Sequence, residues 1–197
     1  AHLMPPFMGQ GMCAGIRDVS NLAWKISHCL KNEHNDKLLN TYQSERFSNV
    51  KEYIETTMRM GEFVNAVGKS PITNNISADS KGRKSMKSIK PRLGQGLGDL
   101  KDKFRGKIFP QFIIKKNKKL DEKFSLKPAL IISDEIKKNI SSKIKLIKSK
   151  NIKNLELFFK EHNCKAIIVR PDRFILSSCT SVKNFNSYLN KNLSSLA

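Results

Sequence analysis

Along the first part of the chain the apolar residues Ile16, Val19, Leu22, Ala23, Ile26 and Leu30 recur at three- and four-residue steps, close to one face of a helix. Ahead of them stands Met4-Pro5-Pro6-Phe7-Met8-Gly9-Gln10-Gly11-Met12-Cys13-Ala14-Gly15, in which two prolines stiffen the backbone and the glycines permit a tight path into the helix. Residues 31–36 form a polar connector. Asp36 can cap a second helix, and Leu39, Tyr42, Arg46, Val50, Tyr53, Ile54, Thr57, Met58 and Gly61 keep a helical rhythm that extends it to about Val67. Met58 and Met60 read as core filler, and Glu45 and Arg46 as a solvated, ion-paired face. From Gly68 to Gly106 the periodicity dissolves. Pro91-Arg92-Leu93-Gly94-Gln95-Gly96-Leu97-Gly98 lacks the Gly-Lys-Ser/Thr ending and flanking strand of a phosphate loop, so it reads as linker or surface loop.

The last third alternates differently. Ala129–Ile132, Ile144–Ile147, Ala166–Val169 and Arg173–Leu176 read as strands. Residues 154–162 read as a helix with Leu155, Phe158 and Phe159 inward, Arg170-Pro171-Asp172 as a turn, and 182–193 as a closing helix. This β/α order, with a hairpin before the last helix, suits a thioredoxin-like α/β domain that lacks Cys-x-x-Cys. The four cysteines, Cys13, Cys29, Cys164 and Cys179, have neither redox-motif nor zinc-ligand spacing, so they read as reduced thiols, Cys164 and Cys179 buried and inert. No metal site is expected.

Composition changes this picture in one respect. The formal net charge is +20 over 197 residues. A polyanion partner is one reading; the other is a lysine-rich composition spread over the whole surface. The lysines from Lys81 to Lys191 are scattered, with few aromatics between them to stack bases, which favours the second reading and no specific nucleic acid. No apolar run reaches the ~18 residues of a membrane span.

The candidate chemistry sits at the glycine loop. A loop that empties into a helix N-terminus presents unpaired N–H groups and a partial positive charge, suited to an anion or an electron-rich ligand edge. The spacing Gly-x-Gly-x-x-x-Gly is not that of a first dinucleotide-binding turn, and taken alone it leaves open both a ligand cradle and a plain helix entry. The residues themselves are more specific. Ala1-His2-Leu3-Met4-Pro5-Pro6, Gly9-Gln10-Gly11-Met12, Gly15-Ile16-Arg17-Asp18 and Asn21-Leu22-Ala23-Trp24-Lys25 resemble the second flavin-binding motif of the single-component FAD-dependent aromatic hydroxylases. Thr41-Tyr42-Gln43-Ser44-Glu45-Arg46 resembles the Thr-Tyr-x-x-Glu-Arg that stands at this place in the same family. Gly106-Lys107-Ile108-Phe109-Pro110-Gln111 resembles the entry to their last domain. Phe159-x-x-His162-Asn163 through Arg170-Pro171-Asp172-Arg173-Phe174 resembles the end of the 3-(3-hydroxyphenyl)propionate hydroxylase branch.

The resemblance implies that the chain starts inside the motif, past its Gly-Asp pair, and it is expected to be a C-terminal fragment of a longer enzyme. Residues 1–67 would be the helical C-terminal remnant of an FAD-binding domain, 68–106 an irregular linker, and 107–197 the thioredoxin-like domain. FAD would be the cofactor, NADH or NADPH the reductant, and O2 the oxidant for ortho-hydroxylation of a phenolic acid in the cytoplasm. Backbone N–H groups at Gly11, Met12 and Cys13 would stabilise reduced flavin. Pro5 and Pro6 would lie beside the ring edge, Gly9 and Gly11 would keep Cβ atoms off it, and His2 would lie near the ribityl and pyrophosphate region or serve structurally. Cys13 stands where many relatives have Asn. No catalytic base is identifiable, and the fragment is expected to be inactive alone. A thioredoxin-like interaction or homodimerisation module and a basic nucleic-acid binder are the alternatives.

Overall fold

The computed structural model describes residues 2–6, 9–31, 37–65, 76–78, 84–86, 89–116, 118–124, 127–137 and 144–194. Two long helices come first, α1 (Gly11–Lys31) and α2 (Lys37–Asn65). The expected cap at Asp36 and the run to Val67 fall outside the described residues. Helix α1 begins at Gly11 rather than at Ile16, so Gly11, Met12 and Cys13 form its first turn instead of a loop before it.

The two faces of α1 are used in an unexpected way. The buried face is Ala14, Asp18, Asn21, Trp24 and Lys25. The apolar series points outward, with Ile16, Val19, Ile26 and Leu30 all exposed. The reason lies on α2. Glu45 and Arg46, expected on a solvated face, are fully buried, and they pair with the polar residues of α1. Of the two methionines expected as core filler, Met58 is exposed and Met60 half-buried.

After two short hairpins, β1 (Ile76–Ala78) with β2 (Lys84–Met86) and β3 (Ile113–Lys115) with β4 (Lys118–Lys119), comes a four-stranded sheet. Its strands are β5 (Ala129–Ile132), β6 (Lys145–Lys148), β7 (Ala166–Val169) and β8 (Ile175–Cys179), in the order β6-β5-β7-β8. β5 and β6 run parallel; β7 is antiparallel to both β5 and β8. Helix α3 (Lys153–Glu161) joins β6 to β7, and α4 (Phe185–Ser194) closes the chain. β5 and β7 lie where their apolar runs predict. β8 starts two residues later than expected because Arg173 takes a left-handed conformation (φ 68°) in the turn that reverses the chain.

β5 and β7 are buried along their whole length because both sheet faces are covered. Ala129, Ile131, Ile167 and Val169 face Leu155 and Phe159 of α3 and the rings of Phe104, Phe109 and Phe112. Leu130, Ile132, Ala166 and Ile168 face Phe185 of α4, and also Trp24 of α1 and Leu38 of α2. The helical pair therefore shares a core with the sheet. Cys164 and Cys179 lie in these two layers as free thiols. Burial raises both, Cys164 to about 11, so neither is an available thiolate at neutral pH.

The second glycine run is not a surface loop. It is a strap wedged between α2 and β8. A Cβ on Gly94 would stand 2.2 Å from the Ser44 carbonyl oxygen, and one on Gly96 would stand 2.4 Å from the Glu45 side chain. Gly98, at φ 87°, lies against the Leu176 carbonyl. The Gly94 and Leu97 N–H groups donate to the Glu45 carbonyl oxygen and to Glu45 Oε1, at 2.8 and 3.1 Å. Arg105 Nε donates to the Leu97 carbonyl at 2.8 Å and holds the strap from its other side.

Candidate functional site

The N-terminal mouth of α1 is built by local chain chemistry. Gly9 sits in the left-handed region (φ 61°), and its N–H donates back to the Pro6 carbonyl at 3.1 Å, closing a turn after the two prolines. The Ala14 N–H donates to the Gln10 carbonyl at 2.8 Å. Among the described residues, the Gly11, Met12 and Cys13 N–H groups have no backbone acceptor, as expected for a first helical turn. The first turn holds no acidic side chain, so nothing in it offsets the positive end of this helix. Among the described residues the mouth is uncrowded: a Cβ on Gly9 would meet nothing within 4 Å, and one on Gly11 only the Met4 Cβ at 4.0 Å.

His2 is tied into the scaffold. Its backbone N–H and its Nδ1 both lie on Asp18 Oδ2, at 3.1 and 2.9 Å. The other Asp18 oxygen accepts from Arg46 Nε at 2.8 Å. Burial pushes the Asp18 carboxyl up, but the hydrogen bonds from Arg46 and His2 outweigh it and hold the group below its ordinary range. Arg46 also donates to Asn49 Oδ1, and Asn49 Nδ2 donates to the Pro91 carbonyl at 2.7 Å. One chain of contacts thus ties His2 to both helices and on to Pro91.

Behind it lies a buried, charge-balanced cluster. Arg170, at the end of β7, forks onto Glu45, with Nη1 to Oε1 at 2.7 Å and Nη2 to Oε2 at 2.8 Å. Arg170 also donates to both oxygens of Asp172, at 2.7 and 3.1 Å. Lys25 Nζ reaches Glu45 Oε2 at 2.8 Å, and Asn21 Nδ2 bridges Glu45 and Asp172 at 3.1 and 3.0 Å. The Arg170 guanidinium lies 5.1 Å from the centre of the Trp24 ring. Two cations and two carboxylates, each with several partners, meet the conditions under which buried charge is tolerated. Burial pushes Glu45 up, but Arg170 and Lys25 more than offset it and hold the carboxyl down to about 2. Burial lowers Lys25 to about 8, with Glu45 pulling the other way.

Stability should therefore depend on pH. The folded Glu45 carboxyl (about 2) lies below its unfolded value of 4.5, so its contribution is complete above pH 4.5 and is lost as pH falls towards 2. The difference corresponds to about 3 kcal/mol. Urea unfolding between pH 6 and pH 2.5 is expected to show this loss, and Glu45→Gln to flatten that part of the curve. An equally steep curve in Glu45→Gln would refute the assignment.

All the sequence-selected residues fall at this end of α1. Gly9, Gly11, Met12 and Cys13 line its mouth, Pro5 and Pro6 approach it, and His2 binds the helix from the side. The carboxylates nearest this end, Asp18, Glu45 and Asp172, are each engaged by cations. Among the described residues no group of three or more His, Cys, Asp or Glu side chains could hold a metal, and no helix is long and apolar enough to cross a membrane. Sequence reasoning missed the cluster behind the mouth. Its signal was present in Asp18, Asn21 and Lys25, a polar face at helical spacing alongside the more conspicuous apolar one.

Residues 1–57 match the family described as FAD binding domain. A protein named "Probable NADH-specific resorcinol 4-hydroxylase" from Rhodococcus jostii is 37% identical over 118 residues, which is 58% of this chain and 21% of that protein. The 3-(3-hydroxy-phenyl)propionate/3-hydroxycinnamic acid hydroxylase 2 of Burkholderia vietnamiensis is 46% identical over 61 residues, 31% of this chain and 11% of that protein. Residues 1–57 are thus similar to an FAD binding domain, and the chain is similar in sequence to parts of these two hydroxylases. It spans a small part of the length of these curated relatives. Solved flavoenzymes share the fold of this chain. The flavin-dependent monooxygenase PieE, in complex with FAD and substrate, aligns with a TM-score of 0.62 at 12% identity, covering 46% of that chain. The rebeccamycin biosynthetic enzyme RebC with reduced flavin aligns with a TM-score of 0.60 at 15% identity, covering 44%.

Proposed function

We propose that this chain supplies the flavin-facing helix mouth and the C-terminal domain of a cytoplasmic aromatic hydroxylase. That enzyme would use FAD, NADH or NADPH and O2 to hydroxylate a phenolic acid such as 3-(3-hydroxyphenyl)propanoate ortho to its hydroxyl group. The observation that carries this reading is the first turn of α1, whose Gly11, Met12 and Cys13 N–H groups have no backbone acceptor among the described residues, in a segment that matches the FAD binding domain family.

The residues fit the cofactor. Bound flavin would supply the redox chemistry and oxygen activation. The Gly11, Met12 and Cys13 N–H groups would hold negative charge at one edge of its ring, backed by the dipole of a 21-residue helix. Gly9 and Gly11 would let the ring approach the backbone, because neither carries a Cβ. Pro5 and Pro6, held by the Gly9 N–H on the Pro6 carbonyl, would form the wall beside it. Phenol deprotonation needs a base from outside these residues. The sheet order β6-β5-β7-β8, with one parallel pair and an antiparallel hairpin before α4, supports a thioredoxin-like reading of residues 107–197. Without a Cys-x-x-Cys pair, that domain would support the helical pair rather than perform redox chemistry.

Two measurements test the proposal. Titrating FAD into the 197-residue chain is expected to give no binding tighter than about 1 μM, because these residues span only a small part of the length of the hydroxylases they resemble; tighter binding with flavin spectral shifts would overturn the expected inactivity. A hybrid can be made by joining the residues that precede the matched segment of the Burkholderia vietnamiensis hydroxylase to residue 1. In it, Gly11→Val is expected to reduce NADH oxidation about 100-fold by displacing the ring. Unchanged oxidation would contradict the role of the mouth.

A further inference from the structure

We propose that the groove between residues 99–103, β8 and α4 binds a small phosphorylated polyol, its phosphate held by Arg92, Lys103 and Lys107 and its hydroxyl groups by Thr180, Asn184 and Ser187. The groove has a volume of about 750 Å³, and every residue that lines it carries a polar side chain. Pockets for apolar ligands are lined mainly by hydrophobic and aromatic side chains; this one suits a ligand covered with hydrogen-bonding groups. Thr180, Asn184 and Ser187 are exposed in it, and their side chains make no hydrogen bond among the described residues. The wall behind them is fixed. The Tyr188 hydroxyl donates to the Ser177 carbonyl at 3.1 Å, and Asn192 Nδ2 donates to the Tyr188 carbonyl at 2.8 Å. The opposite wall runs along the outer edge of β8, where the Gly106 N–H donates to the Ile175 carbonyl and the Ile175 N–H to the Lys107 carbonyl, both at 2.8 Å.

Positive charge gathers at one end of the groove. Phe104 is buried, and two ammonium groups lie against its ring, Lys103 Nζ at 5.1 Å and Lys107 Nζ at 5.2 Å from the ring centre. Arg92 joins them: its Nη2 donates to the Lys103 carbonyl at 2.8 Å. Among the described residues none of these three cations is paired with a carboxylate. The two acids of the groove are already committed. Asp102 accepts from the Ser178 N–H, and from Ser178 Oγ and the Phe104 N–H at 2.8 Å each. Asp99 accepts from the Lys101 N–H at 2.9 Å and faces Lys191 Nζ at 3.6 Å. The surplus charge is felt at Lys107. Burial pushes its ammonium down, Arg92 and Lys103 push it further, and Asp102 pulls the other way. A phosphate dianion would relieve that repulsion with charge-assisted hydrogen bonds. A base would find nothing to stack on: Phe104 is buried, and the Tyr188 ring is packed beside Phe185, ring centres 6.3 Å apart. A phosphorylated polyol occurs free, as a sugar phosphate, and on membranes, as the headgroup of an inositol lipid; the recognition chemistry is the same. None of this depends on the flavin reading.

The test titrates the 15N-labelled 197-residue chain at low salt with two probes, glucose 6-phosphate and phosphatidylcholine vesicles containing phosphatidylinositol 4-phosphate. Glucose 6-phosphate is expected to bind with a Kd of about 1 mM or tighter and to move the amide resonances of Lys103, Lys107, Asn184 and Ser187. Lys103→Gln with Lys107→Gln is expected to weaken it about twenty-fold. Lys115→Gln with Lys119→Gln, which removes the same charge from the β3–β4 hairpin, is expected to weaken it less than about twofold. Asn184→Ala is expected to weaken glucose 6-phosphate about fivefold and to leave inorganic phosphate unaffected. Pelleting with the vesicles that depends on Lys103 and Lys107 identifies the source as a lipid headgroup; binding of the soluble probe alone identifies a free sugar phosphate. Binding of neither probe overturns the proposal. Equal losses from the two lysine pairs overturn it in favour of diffuse charge attraction. Equal affinity for glucose 6-phosphate and inorganic phosphate overturns the role of the hydroxyl groups. Tighter binding of polyuridylate that displaces the sugar phosphate overturns it in favour of a nucleic acid.

Discussion

Arg170→Ala is expected to lower the free energy of unfolding by about 3–5 kcal/mol, the range found when one partner of a buried ion pair is removed. Arg170 is fully buried and, among the described residues, is the only group that touches Glu45 and Asp172 with two hydrogen bonds each. Without it, Asp172 keeps only Asn21 among the described side chains, and Glu45 keeps Lys25 and Asn21. Both carboxylates then sit in low dielectric with too little compensation. Because Glu45 lies on α2 and Arg170 at the end of β7, the loss also loosens the helical pair from the sheet. Arg170→Lys keeps the charge but not the planar fork, so an intermediate loss is expected. Glu45→Gln combined with Arg170→Met should cost less than the sum of the single changes, since neither charge is stranded. Denaturant midpoints followed by circular dichroism measure all of these. A loss below about 1 kcal/mol for Arg170→Ala would place the pair among weak surface bridges and refute its role.

Gly94→Ala is the second large effect. The added methyl would stand 2.2 Å from the Ser44 carbonyl oxygen and 2.7 Å from Ser48 Oγ. The carbonyl belongs to the backbone of α2 and cannot rotate away, so the strap must lift. Overpacking of this kind costs about 1–3 kcal/mol, and here it also pulls on the Gly94 N–H bond to the Glu45 carbonyl. Gly15→Ala is the contrast: its Cβ would meet nothing within 4 Å inside a helix, and it is expected to gain about 0.5–1 kcal/mol. Equal effects from the two substitutions would show that the strap is not wedged against α2.

Arg170 and Gly94 mark where the sequence was legible and where it was not. β5 and β7 could be read directly because four apolar residues in a row, bounded by polar residues, suit a strand covered on both faces. Helices α1 and α2 could be read from their period, but which face of α1 turns inward could not, because the periodicity of the apolar residues says nothing about what lies opposite. Glu45 and Arg46 looked like surface residues because a buried charge is identified only by its partners; Arg170 comes 125 residues after Glu45, and Asp18, which pairs with Arg46, lies on the other helix. The Gly94–Gly98 run looked like a flexible connector for a similar reason: a glycine needed for close approach and one needed for a loose turn are the same letter. The residues proposed for the site, from His2 to Cys13, come from their resemblance to a flavin motif, and the first turn of α1, with no acidic side chain, is the physical feature that agrees with it.

The most direct measurement of whether that mouth faces a flavin is an amide NMR spectrum of the 15N-labelled, FAD-loaded hybrid before and after reduction with dithionite. If the mouth of α1 faces the ring, the resonances of Gly11, Met12 and Cys13 shift more than any others in the chain when the flavin takes up charge, while those of the Arg170–Glu45 cluster stay in place. Unmoved Gly11, Met12 and Cys13 resonances beside a fully reduced flavin would contradict it.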